Sequence, residues 1–197
     1  MGISCGSATS CLAAGLGGYV VGTTNAGASW AARVTGFRGS LSAISCPTGG
    51  TCAAVGDSDT VIGTTDDGHT WTVLTSGGSS SMSVEALFGV SCATPSNCVA
   101  VGDAGTVLAT ADGGHSWMAQ TTHLLLHGVS CPSPSMCMAT GFQSSSGVLT
   151  GGVLVSIDGG RTWTSSATMF PTASGAPQTL SVWSPATTRM RPAKHLE

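Results

Sequence analysis

Two short motifs recur four times along the chain of 197 residues, and this repetition constrains the fold more than any other feature of the sequence. The first is Ser/Thr-x-Asp/Asn-x-Gly-x-Ser/Thr-Trp, which occurs at residues 23–30, 64–71, 110–117 and 156–163. The second is Cys-x5-Cys, whose first cysteine precedes the tryptophan by 25 positions in three units and by 32 in the fourth. The matched spacing of two motifs indicates a tandem structural repeat.

Each unit contains four runs of small, apolar and β-branched residues, separated by Gly, Asp or Ser, as expected of short strands. In the second unit these runs are 40–45, 51–57, 60–65 and 70–75. Four strands in about 40 residues are typical of one blade of a β-propeller. The sequence therefore predicts an all-β propeller of about four four-stranded antiparallel blades. The predicted units are about 2–35, 36–80, 81–121 and 122–168.

The chain departs from the repeat in two places. The extra residues of the fourth unit lie in the Ser- and Gly-rich segment 143–152, which is predicted to be a loop insertion. After the fourth unit, TLSVWSP at 179–185 resembles SLSAISCP at 40–47, but neither motif follows it. We expect residues 169–197 to hold a partial strand of a fifth unit and a non-native or disordered tail.

Four blades raise the question of how the ring is completed, because open blades leave apolar faces and unpaired strand edges that favour association. Three arrangements answer it. The four units close as a small ring in which the segment 179–183 pairs beside the first blade as a latch, two chains join into an eight-bladed ring, or the chain is part of a larger propeller. A homo-oligomer or an edge latch is the expected outcome.

The tryptophan motif has a structural explanation, which its second copy illustrates. Asp66 lies at the turn between the third and fourth strands, where a carboxylate accepts hydrogen bonds from backbone N–H groups and a nearby hydroxyl. Gly68 supplies a positive φ, and Trp71 packs between sheets. The variable positions Asp67 and His69 are expected to face water. The corresponding structural residues are Asn25, Gly27, Trp30, Asp66, Gly68, Trp71, Asp112, Gly114, Trp117, Asp158, Gly160 and Trp163.

These motifs resemble those of the Asp-box, or BNR-repeat, β-propellers. That family includes sialidases, xyloglucanases, sortilin-type receptors and photosystem II assembly factor-like proteins. The resemblance covers roughly residues 2–168, and the style of residues 129–141 is most similar to secreted bacterial members. It implies a propeller fold, but it does not choose between an enzyme and a binding scaffold, because the same turn recurs in both.

Eight cysteines in four matched pairs predict one disulfide in each unit, because the repeat favours the local pairing among the many possible ones. The alternatives are reduced thiols in a cytosolic protein and metal sites, whose cysteines are usually closer in sequence. Disulfides imply an oxidising compartment, so we expect a secreted or periplasmic protein, although this chain shows no signal peptide. The predicted bridges are Cys5–Cys11, Cys46–Cys52, Cys92–Cys98 and Cys131–Cys137.

Composition limits the partners. Only 8% of the residues are charged and the net charge is −3, so nothing indicates nucleic acid or an anionic membrane as partner. No apolar stretch is long enough for a membrane-spanning helix. The partners that remain are a glycan or a protein, besides a second copy of the chain.

We define the ligand face as the end of the propeller that carries the connections from fourth to first strand and from second to third strand. The candidate residues on it are Tyr19, Arg33, Arg38, Asp57, Asp59, Glu85, Asp103, His123 and His127. These residues do not supply the arginine cluster and the tyrosine–carboxylate set of a sialidase, because there is one tyrosine and only two arginines lie outside the tail and the tryptophan motifs.

Two enzymatic interpretations remain. Asp57 and Asp103 occupy equivalent positions and would be the two carboxylates of an inverting glycosidase, although equivalent positions in a repeat more often serve turns. His123 and His127 would share one side of an extended strand. With Asp103 they would hold a divalent metal for hydrolysis of an ester or phosphoester.

The sequence favours an extracytoplasmic binding or scaffold module without catalysis of its own, which presents its ligand face to a glycan or a protein. The alternative is a hydrolase that acts on an ester, a phosphoester or a glycoside. We expect no cofactor for the binding module, and a divalent metal only for the hydrolase.

Overall fold

The computed structural model describes residues 1–75, 85–145 and 148–169, which form four antiparallel four-stranded sheets in chain order. Each sheet contains four consecutive strands, as in a propeller blade, so the predicted fold class is confirmed. The predicted fifth-unit strand at 179–183 and the tail that follows it lie outside the described residues.

The strands of the four blades have the following bounds. Blade 1 contains β1 (Gly2–Cys5), β2 (Cys11–Ala14), β3 (Tyr19–Thr23) and β4 (Ala31–Val34). Blade 2 contains β5 (Leu41–Ser45), β6 (Cys52–Gly56), β7 (Val61–Thr64) and β8 (Thr72–Thr75). Blade 3 contains β9 (Leu87–Cys92), β10 (Cys98–Gly102), β11 (Thr106–Thr110) and β12 (Met118–Thr121). Blade 4 contains β13 (Leu125–Ser130), β14 (Cys137–Ser145), β15 (Val148–Ser156) and β16 (Thr164–Met169).

The hydrophobic core lies between blades, because each sheet buries apolar side chains against the sheets beside it. Leu12 and Val20 of blade 1 pack with Ala54 and Ile62 of blade 2 in one buried cluster. Two further clusters join blade 2 to blade 3 and blade 3 to blade 4 in the same way. The first strands of successive blades lie side by side around the hub. A single blade would leave both of these faces exposed to water.

A serine hydroxyl reinforces each of these three junctions. The Oγ atom of Ser4 accepts a hydrogen bond of 2.9 Å from the backbone N–H of Cys46 in the next blade. Ser45 accepts in the same way from Cys92 at 3.0 Å. The pattern is repeated between Ser91 and Cys131 at 2.9 Å. The serine that precedes the first cysteine of each unit therefore fixes the position of the following blade.

The four predicted disulfides are present, each between the end of the first strand of a blade and the start of the second. They are Cys5–Cys11, Cys46–Cys52, Cys92–Cys98 and Cys131–Cys137. Each closes the same short hairpin loop, which on the chain-entropy model stabilises the fold by roughly 2 kcal/mol per bridge. Disulfides of this kind are typical of proteins in an oxidising, extracytoplasmic environment.

The tryptophan motifs form the turns between the third and fourth strands, which we call box turns (residues 23–30, 64–71, 110–117 and 156–163). Asp66 accepts hydrogen bonds from the N–H of Thr70 at 2.8 Å and from its hydroxyl at 2.6 Å. Gly68 has a φ of +76°, and the indole N–H of Trp71 donates to its carbonyl at 3.0 Å. In the first box turn, an amide replaces the carboxylate, since Asn25 accepts from the N–H of Ser29 at 2.9 Å.

Asp67 does not face water, so that expectation was wrong. Its Oδ1 atom accepts from the hydroxyl of Ser10 in blade 1 at 2.7 Å and from the N–H of Gly50 at 3.1 Å. The φ of +56° at Asp67 turns its side chain toward these two hairpin loops. The neighbouring His69 is exposed.

The prediction that the extra residues of the fourth unit form a loop was also wrong. Most of the extra residues continue the ladder between β14 and β15, which pair from Cys137 and Ser156 to Ser145 and Val148. Each of these strands has nine residues, whereas the corresponding strands of blade 2 have five and four. Glycines and serines among residues 143–145 and 148–152 have strand geometry because each pairs with a residue of the opposite strand, although their intrinsic preference for strands is low.

The serine hydrogen bonds between blades lead to a prediction about stability. Replacing Ser45 with Ala removes the acceptor of the Cys92 N–H, so we expect the free energy of unfolding to fall by about 1 kcal/mol. Urea denaturation measures this change. Ser42→Ala is the matched control, because Ser42 lies in the same strand and its hydroxyl has no hydrogen-bond partner among the described residues. Equal stability losses for the two variants would contradict the role given to Ser45.

The box turns predict acid sensitivity. Hydrogen bonds from Thr70 and Thr64 hold the pKa of Asp66 at about 2, below the ordinary 3.8, and those from Thr162 and Ser156 do the same for Asp158. Lowered native pKa values stabilise the fold above about pH 3.8, and this stabilisation is lost as the pH falls toward 2. We expect the melting temperature to decrease over that interval.

A triple variant tests this origin of the acid sensitivity. The pKa of Asp112 is lowered in the same way by Ser116 and Thr110, and Asn25 shows that an amide fits the turn. Asp66→Asn/Asp112→Asn/Asp158→Asn should melt at a lower temperature at neutral pH. Its melting temperature should also change less between pH 4 and pH 2. An unchanged slope would assign the acid sensitivity to other carboxylates.

Candidate functional site

The first strands of blades 2, 3 and 4 each contain a β-bulge near the end that lies at the ligand face. The pairing register shifts at Ser42, at Phe88 and at His127, each of which is an extra residue opposite the second strand. All three stand four positions before the first cysteine of their unit. Because a bulge removes a residue from the regular alternation, it redirects that side chain relative to the sheet.

A glycine opposite each bulge makes this geometry possible. A Cβ atom at Gly56 would overlap the carbonyl oxygen of Ser40, and one at Gly102 would overlap that of Ala86. A Cβ atom at Gly141 would overlap the carbonyl oxygen of Leu125 in the same way. Glycine is therefore required where the second strand meets the chain that enters the bulge.

The bulges bring three rings into one stack across blades 3 and 4. The ring centroids of Phe88 and His127 are 5.0 Å apart with an angle of 16° between the rings. His127 stacks in turn on Phe142, at 5.2 Å and 22°. His127 and Phe142 are exposed and Phe88 is half-buried. We call these three residues the aromatic stack.

Neither phenylalanine was among the residues that the sequence singled out, although the repeat contains a signal for both. Phe88 and His127 occupy the same position in units three and four. Phe142 stands five residues after the second cysteine, where units two and three have Asp57 and Asp103. A difference from the repeat, rather than agreement with it, marks these residues.

A group of acidic residues lies at the junction between blades 2 and 3. The N–H of Asp59 donates to the carbonyl of Glu85 at 3.1 Å, and the carboxylate of Glu85 accepts from the hydroxyl of Thr106 at 3.2 Å. Partial burial raises the pKa of Asp59, and the charges of Glu85 and Asp103 raise it further. Glu85 precedes Phe88 of the stack by three residues in the sequence.

Asp57 fastens the hub. Its Oδ2 atom accepts a hydrogen bond of 2.7 Å from the N–H of Ser40, and its own N–H donates to the carbonyl of Ser40 at 3.0 Å. The N–H of Asp103 donates to the carbonyl of Ala86 at 2.9 Å. The backbone N–H of each aspartate thus binds the chain that enters the inner strand of its own blade, and the carboxylate of Asp57 adds a second bond there.

The two histidines do not share one side of a strand, so that expectation was wrong. His123 lies before β13, and the bulge at His127 breaks the alternation that the prediction assumed. Among residues 1–75, 85–145 and 148–169, no group of three or more His, Cys, Asp or Glu side chains is placed to hold a metal ion. The predicted set of His123, His127 and Asp103 is therefore not assembled there.

The remaining candidates are spread apart. The Nε–H of Arg33 donates to the carbonyl of Asp67 at 3.4 Å, so this side chain points to a box turn and not to the ligand face. Its place in the outer strand β4, next to the following blade, explains the difference. Arg38 is exposed in the connection to blade 2, and Tyr19 is exposed on the open side of blade 1.

The junction between blades 2 and 3 is packed less tightly than its neighbours. Ala53 and Gly63 occupy the positions that Val99 and Ala109 fill in blade 3, and a cleft of about 240 Å³ lies beside them. Within the described part of the chain, the indole N–H of Trp117 and Oδ1 of Asp59 are buried without a hydrogen-bond partner.

Comparison with known proteins supports the fold. No protein-family model and no curated protein matches the sequence. The structure is similar to that of YCF48 bound to D1 peptide, with a TM-score of 0.53 and 14% identity over 84% of this chain and 81% of that one. YCF48 from Cyanidioschyzon merolae gives 0.60 and 19%, over 84% and 55%. An ancestral GH74 enzyme gives 0.50 and 12%, over 83% and 30%.

These likenesses confirm the β-propeller fold, in the style of YCF48. The identities are too low to carry an activity from one protein to another. The chain spans about half the length of the algal structure and under a third of the GH74 enzyme. No helix among the described residues is long and apolar enough to cross a membrane.

The repulsion among Asp59, Glu85 and Asp103 leads us to expect that one substitution stabilises the fold. Because the folded state raises the pKa of Asp59 above the ordinary 3.8, ionisation of this carboxyl destabilises the fold progressively as the pH rises from that value to the native pKa, and fully above it. Asp59→Asn removes the charge, so we expect the melting temperature at neutral pH to rise by up to about 3 °C. Asp57→Asn is the matched control, because it weakens the bond from Ser40 and should not stabilise. A lower melting temperature for Asp59→Asn would contradict the assignment.

Proposed function

We propose that the protein is a non-catalytic binding module whose ligand face captures an extended polypeptide segment. The observation that carries this proposal is the aromatic stack of Phe88, His127 and Phe142, in which His127 and Phe142 are exposed and Phe88 is half-buried. Exposed aromatic surface on a rigid scaffold is typical of sites that bind partners, because flat rings bury large areas with little loss of conformational freedom.

The chemistry around the stack indicates the kind of segment. Asp59, Glu85 and Asp103 give this side of the ligand face a negative potential, and the repulsion among them would be relieved by a cation from the partner. A partner with aromatic or aliphatic side chains next to Lys or Arg matches both features. Arginine in particular also stacks on aromatic faces.

The structural similarity to YCF48 bound to D1 peptide supports a polypeptide ligand over a glycan. That protein binds a peptide, and the matched region covers most of both chains. The position of Asp57 supports a role without catalysis, because its carboxylate is engaged by the backbone N–H of Ser40 at the start of an inner strand. The four disulfides support an extracytoplasmic location, in a secreted or periplasmic protein.

Peptide binding tests the proposal directly. Short synthetic peptides with aromatic and basic residues should bind, whereas peptides of equal apolar content with Asp or Glu instead of Lys or Arg should bind more weakly. Phe88→Ala and Phe142→Ala should each weaken binding of the basic peptides by about 2- to 10-fold, the loss of one ring contact. Fluorescence polarisation with labelled peptides measures these affinities.

Ile157→Ala is the matched control, because Ile157 is an exposed apolar residue in a box turn of blade 4, away from the ligand face. Its affinity should equal that of the wild type. Oligosaccharides serve as the competing class of ligand in the same assay. Binding of neutral oligosaccharides with no binding of any peptide would overturn the proposal, as would peptide binding that is indifferent to both phenylalanines.

A further inference from the structure

The row of blades ends in two faces that resemble the two sides of an internal junction. We call the side of a blade that meets the preceding blade its front, and the side that meets the following blade its back. Fronts and backs are joined between blades 1 and 2, 2 and 3, and 3 and 4. Among the described residues, no buried cluster joins blade 4 to blade 1.

The front of blade 1 is apolar and exposed. Val21 is 38% exposed, whereas Ile62, which occupies its position in blade 2, is fully buried. Ile3 is 62% exposed, and its equivalent Ile44 only 6%. Trp30 is 44% exposed, whereas the box-turn tryptophans of the other blades pack on the preceding blade.

The back of blade 4 shows the complementary exposure. Met138 is 39% exposed, although its equivalents Leu12 and Val99 are each only 2% exposed beneath the next blade. Val153 and Val155 lie on the same side of the sheet as each other and are only partly buried, whereas Leu154 on the front side is buried. Apolar residues therefore occupy both open faces at the positions that the internal junctions bury.

A hydrogen-bond acceptor accompanies the back of blade 4. Ser130 corresponds to Ser4, Ser45 and Ser91, each of which accepts from the first cysteine of the next blade. The hydroxyl of Ser130 is exposed and has no partner in the part of the chain that the structure describes. The corresponding donor would be the N–H of Cys5.

We propose that two copies of the chain join head to tail, with the back of blade 4 of each copy packed on the front of blade 1 of the other. Both junctions would repeat the chemistry of the three internal ones, with Trp30 and Val21 against Met138. Identical head-to-tail contacts form a closed ring when the rotations add up to a full turn. Propellers typically have four to eight blades, so two copies of four blades close within that range and three copies exceed it.

Solution mass tests this arrangement. In sedimentation velocity, the wild type should have twice the 19.4 kDa mass of one chain. Met138→Arg on the back and Val21→Asp on the front should each halve the mass, with unchanged circular dichroism. Met118→Arg is the matched control, because Met118 is an exposed methionine on the outer strand of the internal blade 3, and it should remain a dimer.

Mixing the two disruptive variants distinguishes a head-to-tail contact from a symmetric one. In a mixed dimer, the intact back of the Val21→Asp copy meets the intact front of the Met138→Arg copy, and the second junction opposes charges of opposite sign. The mixture should therefore recover the dimer mass that neither variant reaches alone. No recovery would overturn the proposal.

Two other results would also overturn it. A wild type of one-chain mass at every concentration is one. The other is a monomer in which Met138→Arg lowers the melting temperature, which would assign the back of blade 4 to residues 170–197 of the same chain. Self-association is separate from peptide binding, since Phe88→Ala should leave the mass unchanged.

Discussion

The structure depends on the packing of one sheet face against the next. A four-stranded blade buries little by itself, and its apolar residues are covered only when a neighbour is in place, as the contrast between Ile62 and Val21 shows. The serine hydroxyls add a directional bond to each of these nonpolar contacts and thereby fix the register between blades. Stability in such a repeat is the sum of blade and junction energies, so the terminal blades always have the least support.

Much of this architecture was predictable from the sequence, because repetition reveals it. The Cys pairs predicted the hairpins between the first and second strands, and the tryptophan motifs predicted the turns that contain Asp66 and its equivalents. What the repeat does not contain was not predictable. The side chain of Asp67 bonds to Ser10 because blades meet there. Residues 143–145 and 148–152 lie in strands because each segment pairs with the other strand of the hairpin. Both depend on contacts with residues that local preference does not consider.

For a related reason, only some residues of the candidate site could be predicted from the sequence. The charged and imidazole side chains drew attention to His127 and the acidic group, since such residues carry most chemistry. Phe88 and Phe142 look like core residues in a sequence. Only the structure reveals that Phe88 is half-buried at a bulge and that Phe142 is exposed and stacks on the bulged His127. Asp57 and Asp103 attracted an enzymatic interpretation because they recur. In the structure, the backbone of each binds the chain that enters the inner strand of its own blade, and the carboxylate of Asp57 adds a bond to Ser40.

Function in a repeat protein therefore arises where one unit departs from the others. The common positions are committed to holding the fold, as the hydrogen bonds of Asp57 to Ser40 illustrate. Phe142 is free to act differently because blade 4 has a longer hairpin and a phenylalanine in place of the fastening aspartate. The bulge in the inner strands of blades 2, 3 and 4 then needs only an aromatic side chain at position 88 and an imidazole at position 127 to build the stack with Phe142. A binding surface can be added in this way without weakening any junction on which the fold depends.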